Sequence, residues 1–193
     1  MSASVALGVK NPERLILIYS AALLFCLILA PLLANLRGWK PAALFFAVAA
    51  VYATFGAVNL AQIQIALSRV REAEPAYHDT YYVVSHGYFL LNIGIAMAVF
   101  CSITWIQTRF GAMRYPTLTK ILFWVLHVAL IGGTSFQGAL AFILPKPRRY
   151  IDYPDFMETY VLISAWSGFL SQAALIGLLC LLLWSITAKW FER

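Results

Sequence analysis

Five long apolar stretches dominate the sequence, at residues 15–34, 41–67, 81–106, 121–144 and 160–188. Each reaches the roughly 20 residues that a helix needs to cross the hydrocarbon core of a bilayer. Lipid offers no hydrogen-bond partners, so a spanning segment must satisfy its own backbone groups, as a helix does. The 193 residues are 62% hydrophobic and 11% charged, which gives more apolar surface than a soluble domain could bury. The sequence therefore predicts an all-α membrane protein, a five-helix transmembrane bundle that forms one domain over residues 1–193.

The basic residues lie mainly between the apolar stretches. The formal net charge is +6, from 14 Lys and Arg against 8 Asp and Glu. In a soluble protein this excess would suggest a nucleic-acid partner, but short loops between membrane spans carry basic residues that set topology and meet lipid headgroups. We therefore expect contact with lipid and no binding of nucleic acid.

Acidic residues divide unequally between the two predicted membrane faces. Lys and Arg number seven on each face, so the positive-inside rule does not choose an orientation. The face formed by loops 35–40 and 107–120 and by the C-terminus carries only Glu192 as an acid. The opposite face carries the other seven acids, namely Glu13, Glu72, Glu74, Asp79, Asp152, Asp155 and Glu158. A face rich in both signs of charge indicates a structured polar site.

Residues 77–94, YHDTYYVVSHGYFLLNIG, place polar groups at the mouth of the third span. Ionisable groups at membrane depth are costly and usually mark a site. The segment resembles the tenth transmembrane helix of subunit I of the heme-copper terminal oxidases, of the cytochrome c oxidase type, which reads HDTYYVVxHxHY. The chain keeps His78, Asp79 and His86 of that pattern, and Tyr88 stands where the family has its last histidine.

A second segment of the same face also resembles that family. Residues 146–155, KPRRYIDYPD, are similar to the MPRRYxDYPD loop between the eleventh and twelfth helices of subunit I. One predicted helix separates the two motifs, as in the family, and the resemblance extends over helices eight to twelve. It implies that Arg148 and Arg149 stand above heme propionates, a role that suits the planar, permanently charged guanidinium. The alternative is a pair of topogenic arginines followed by a Pro-Asp turn.

The resemblance assigns a metal-binding role to several residues. His86 has the position of the proximal ligand of the high-spin heme, and the alternative is a buried histidine bonded to a neighbouring helix. Tyr88 replaces a ligand of the low-spin heme, so that second heme is expected to be absent. His78 and Asp79 match residues that help to hold Mg²⁺ near the copper-carrying partner subunit. One His-Asp pair is too few ligands without another chain, and the alternative is a helix N-cap at Asp79.

His127, in the fourth span, has no counterpart in the family pattern. By helical rise it lies roughly 25 Å below the outer end of its helix, whereas His86 lies roughly 9 Å below. The two histidines of one chain therefore cannot ligate one iron. We expect His127 to pack in the interior or to form a hydrogen bond between helices.

The chain lacks the earlier helices that carry the family's copper ligands, its redox tyrosine and the first low-spin heme ligand. We therefore expect that it is not a complete oxidase alone, and at most a subunit of an oxidoreductase complex. Three hypotheses remain: a heme subunit for electron transfer or gas binding, a non-catalytic docking subunit, or the C-terminal half of a split subunit I. The expected partners are other subunits of a membrane respiratory complex, a subunit II-like copper protein or a homodimer mate. The resemblance places the protein in a bacterial inner membrane, with the N-terminus outside and the C-terminus in the cytoplasm.

Overall fold

A computed structural model describes residues 12–36, 38, 40–71, 80–133 and 153–191. These residues form five α-helices: α1 (Pro12–Leu36), α2 (Pro41–Arg71), α3 (Thr80–Arg109), α4 (Pro116–Gly133) and α5 (Tyr153–Phe191). All five are long and apolar enough to cross a membrane. The predicted fold class, an all-α bundle of five membrane helices, is confirmed.

Proline and glycine mark several helix boundaries. Pro41 and Pro116 are the first residues of α2 and α4, where a missing backbone N–H costs nothing because no intrahelical acceptor precedes it. Gly38 and Gly111 have φ angles of 67° and 62°, a left-handed conformation that glycine adopts without a steric penalty. These two glycines therefore allow the chain to turn just after α1 and just after α3.

Helices α2 and α3 pack closely, because Gly56 on α2 and Gly87 and Gly94 on α3 allow their backbones to approach each other. A Cβ atom added at Gly94 would lie 2.9 Å from the amide nitrogen of Ala53, and one added at Gly56 would lie 2.8 Å from that of Leu91. Such distances are shorter than real Cβ contacts, so no larger residue fits there without a backbone shift. Small residues at a helix interface permit this approach in membrane proteins, where dispersion contacts replace the hydrophobic effect as the driving force.

An aromatic cluster connects this pair to α4. The ring of Phe45 on α2 stacks on Phe100 of α3 at a centroid distance of 5.6 Å and meets Phe123 of α4 edge-on at 5.0 Å. All three rings are buried. Offset and edge-to-face arrangements of this kind stabilise a core beyond the area that they bury.

A hydrogen bond also joins α3 to α5. The buried Gln107 side chain donates from Nε2 to the carbonyl oxygen of Leu182 at 2.8 Å. Both residues lie in the last third of their helices, so α3 and α5 run in the same direction and end on the same side of the bundle. That side also contains the starts of α2 and α4, and we call it the basic end, after its residues Lys40, Arg109, Arg114, Lys120 and Lys189.

Candidate functional site

Most of the predicted site residues lie outside the described residues. This applies to His78, Asp79, Arg148 and Arg149, so their contacts stay predictions. Position 86 lies on α3, six residues after the helix begins, although only its backbone placement is described. The Mg²⁺ prediction has no support here, and within the described ranges no three His, Cys, Asp or Glu residues form a metal-binding group.

The helical register of α3 places position 86 on the side of the helix that packs against the bundle. Leu90, Ile93 and Met97 follow it at intervals of four, seven and eleven residues, which return to the same helix side. All three are buried, with at most 8% of their surface exposed. Position 86 therefore belongs to the inner face of α3.

Tyr88 lies on the other side of the same helix. Two residues correspond to a rotation of about 200°, so positions 86 and 88 point in nearly opposite directions. The Tyr88 side chain is 49% exposed, and its neighbour Phe89 is also exposed. The phenol at the second family ligand position thus faces outward from the bundle, toward lipid or another subunit.

A small polar cluster from α1 and α2 lies next to this turn of α3. A Cβ atom at Gly87 would lie 2.8 Å from Asn59 Oδ1 and 2.9 Å from Cγ of Leu60. The Tyr19 side chain forms a hydrogen bond with Asn59, and its hydroxyl also donates to the carbonyl oxygen of Phe55. Asn59 Oδ1 is a buried acceptor without a hydrogen-bond partner among the described residues. An unused acceptor therefore lies against α3, beside position 86.

The sequence did not single out Asn59 for this role. An amide within an apolar span is a usable signal, but its importance depends on the approach of Gly87, which is far away along the chain. Tyr19 gave no signal, because a tyrosine near the end of a span is common at membrane interfaces.

His127 has a structural role within the bundle. It is 1% exposed, and its Nε2 lies 2.8 Å from the carbonyl oxygen of Leu27 on α1. Its ring stacks on Phe123 at a centroid distance of 5.6 Å, with an interplanar angle of 10°. The prediction of a hydrogen bond between helices is confirmed. Because Nε2 donates to a carbonyl, that nitrogen is not free to ligate a metal.

Most of the chain is similar to known proteins. The family model of cytochrome c and quinol oxidase polypeptide I matches residues 14–176. Cytochrome c oxidase subunit 1 of Cereibacter sphaeroides is 32% identical over 112 residues, 58% of this chain and 20% of that protein. The same subunit of Albinaria turrita is 32% identical over 108 residues, 55% of this chain and 54% of that protein. That of Alkalihalophilus pseudofirmus is 31% identical over 112 residues, 56% of this chain and 18% of that protein.

The chain thus spans about a fifth of its bacterial relatives and about half of the Albinaria protein. No solved structure matches the chain. The family model nevertheless covers α2, α3 and α4 completely, all but the first two residues of α1, and more than half of α5. The chain is therefore an integral membrane protein that belongs to the cytochrome c and quinol oxidase polypeptide I family.

Proposed function

We propose that the chain is a membrane subunit of an oxidase-like respiratory complex and that it binds one heme through His86, for electron transfer or gas binding. The observation that carries the proposal is the position of residue 86. It lies on the inner face of α3, in a segment that matches the family's heme-ligating helix, whereas Tyr88 faces outward. The family membership supports the assignment to a respiratory complex.

The residues beside position 86 fit a histidine that ligates iron. A ligating imidazole usually donates its second ring N–H to a nearby acceptor, which fixes the tautomer and the ring orientation. Asn59 Oδ1 is a buried acceptor that lies against α3 and has no partner in the described part of the chain. Asn59 therefore supports His86 as a neutral, oriented ligand.

Different residues of the chain would bind the iron and the propionates of the heme. His86 would hold the iron through one ring nitrogen, and Arg148 and Arg149 would hold the propionates by charge-assisted hydrogen bonds. A bound heme supplies an iron that accepts one electron or a diatomic gas. Tyr88 leaves the outward side of α3 without an imidazole, so the chain offers one heme ligand at this turn rather than two.

The optical spectrum of the full chain, purified in detergent, tests this function. We expect a reduced-minus-oxidised difference spectrum of one heme, and a shift of its Soret band with carbon monoxide, because a single protein ligand leaves the sixth iron position open. A six-coordinate spectrum would instead require a ligand from another chain, most simply His86 of a homodimer mate. A parent protein without heme would contradict the proposal.

A non-catalytic docking subunit is the second candidate function. The exposed face of α3 favours it, because Tyr88, Phe89, Ile95 and Val99 together form an apolar surface that another subunit could cover. A split enzyme, with the earlier helices on a separate chain, would use the same surface. Both alternatives predict a heme-free chain that still co-purifies with other respiratory subunits. Heme in the isolated chain would exclude a subunit that serves only for docking.

We further propose that the end of the bundle opposite the basic end faces the outside, as the family resemblance implies. The seven acids on that side support a structured polar site there, and the orientation itself rests on the family resemblance. Cysteines introduced by Glu74→Cys and Asp152→Cys should react with an impermeant maleimide from outside intact cells. The matched control is Lys120→Cys at the basic end, which should react only after the membrane is opened. The reverse pattern would contradict the orientation.

A further inference from the structure

A cavity of about 660 Å³ lies at the basic end of the bundle, between the start of α2 and the end of α3. Its polar part is formed by Lys40, Thr108 and Arg109. Its apolar wall is formed by Ala42, Ala43, Phe46, Cys101 and Trp105. A second cavity, of about 240 Å³, shares Lys40 and Thr108 with it. The cavity therefore joins a cationic mouth to an apolar groove that follows two membrane helices.

The two cations at the mouth are available to a ligand. The side chains of Lys40 and Arg109 are exposed, and neither has an ion-pair or hydrogen-bond partner in the described part of the chain. By contrast, Lys189 at the same end donates to the carbonyl oxygen of Phe110. The acid Glu158 lies near the start of α5, at the far end of the bundle. Among the described residues, the mouth is thus positively charged and contains no acid.

The cavity lies at the level of a membrane-water interface. Arg109 ends the apolar span of α3, and the span of α2 begins at Pro41. Exposed aromatic side chains surround this end of the bundle, namely Trp105, Phe110, Tyr115 and Trp190. Aromatic residues concentrate where the hydrocarbon core meets the headgroups. A ligand here would meet water at Lys40 and lipid tails at Phe46.

We propose that this cavity binds an anionic phospholipid, with its phosphate on Lys40 and Arg109 and one acyl chain along Phe46 and Trp105. Two neighbouring cations suit the phosphate, because charge-assisted hydrogen bonds are stronger than neutral ones. The start of α2 adds a favourable dipole, since a helix N-terminus attracts anions. Neither a soluble anion nor an uncharged lipid would use both halves of the cavity.

The test measures lipid binding to the full chain in detergent by native mass spectrometry. Phosphatidylglycerol and diacylglycerol with identical acyl chains are the two probes, because only the first carries a phosphate. We expect phosphatidylglycerol to bind at least about tenfold more tightly, because the contact involves hydrogen bonds to charged groups. Lys40→Gln and Arg109→Gln should each remove about tenfold of that affinity and leave the diacylglycerol affinity unchanged.

Lys120→Gln is the matched control, because it removes one charge from the same end of the bundle but lines neither cavity. It should keep the full preference for phosphatidylglycerol. Equal binding of the two lipids, or an equal loss in the control, would overturn the proposal. Displacement of the lipid by an equal concentration of glycerol phosphate would also overturn it, because the site would then serve a soluble phosphate. None of these results depends on whether the chain binds heme.

Discussion

Replacing His86 with alanine should lower the heme content of the purified chain by more than about tenfold. Loss of residues one shell away from a metal ligand already costs about 10–100-fold in affinity, and His86 is the single protein ligand that we propose. The measurement is the heme-to-protein ratio from the reduced-minus-oxidised spectrum, taken at equal amounts of monodisperse protein. Heme retained by the alanine variant would contradict the assignment of the iron to His86.

The matched control in this series is His127→Ala. His127 bonds to the carbonyl oxygen of Leu27 and stacks on Phe123, so its loss should weaken helix packing by more than the roughly 0.6 kcal/mol of one interhelical hydrogen bond and leave the heme in place. The double change of Arg148 and Arg149 to glutamine should lower heme retention while the iron keeps its ligand. If His127→Ala loses heme and His86→Ala retains it, the proposed mechanism is wrong and the docking function replaces it.

Replacing Gly94 with leucine should disrupt the α2–α3 pair. Even the first atom of the new side chain would lie 2.9 Å from the amide nitrogen of Ala53 and 3.3 Å from the carbonyl oxygen of Ala49. These are backbone atoms, so the helices must separate rather than rotate a side chain away. We expect a loss of about 3 kcal/mol of stability, at the upper end of the usual cost of overpacking. Thermal unfolding followed by circular dichroism in detergent measures it.

Gly168→Leu provides the control for this prediction. Gly168 lies on α5, and a Cβ atom there would meet nothing within 4 Å. The change also replaces glycine with a better helix former, so its stability should be unchanged or slightly higher. If both variants unfold at the parent temperature, the close approach of α2 and α3 is not important for stability.

The apolar stretches predicted the type of the five helices that the described residues form, but not all of their boundaries. Helix α4 begins at Pro116, five residues before the predicted span, because Thr117, Thr119 and Lys120 interrupt the apolar run without interrupting the helix. Helix α5 begins at Tyr153 rather than at residue 160 for the same reason, since its first turns contain Asp155 and Glu158. Hydropathy measures where a helix enters lipid, and a helix can continue into water.

The candidate site could be predicted only in part, because some of its features are set within one helix and others depend on contacts between helices. The register of position 86 follows from one helix, so it can be derived from the sequence once the helix is located. The contact between Gly87 and Asn59 depends on how two helices are aligned, and no local pattern fixes that alignment. For His127 the type of interaction was predictable, whereas its acceptor, the carbonyl oxygen of Leu27, lies 100 residues away.

The hydrogen bond between Gln107 and Leu182 implies an order of assembly during insertion. Helices α2 and α3 follow each other in the chain and pack directly, so this hairpin can close as soon as both have entered the bilayer. Gln107 on α3 must wait for Leu182, 75 residues later, and until then its amide lacks that acceptor. Because Gln107 lies close to the end of the α3 span, its amide can bond to water or headgroups during that interval, and arrival of α5 then replaces them with the Leu182 carbonyl. A chain interrupted before α5 would keep the α2–α3 pair but lack the contact that fixes the end of α3.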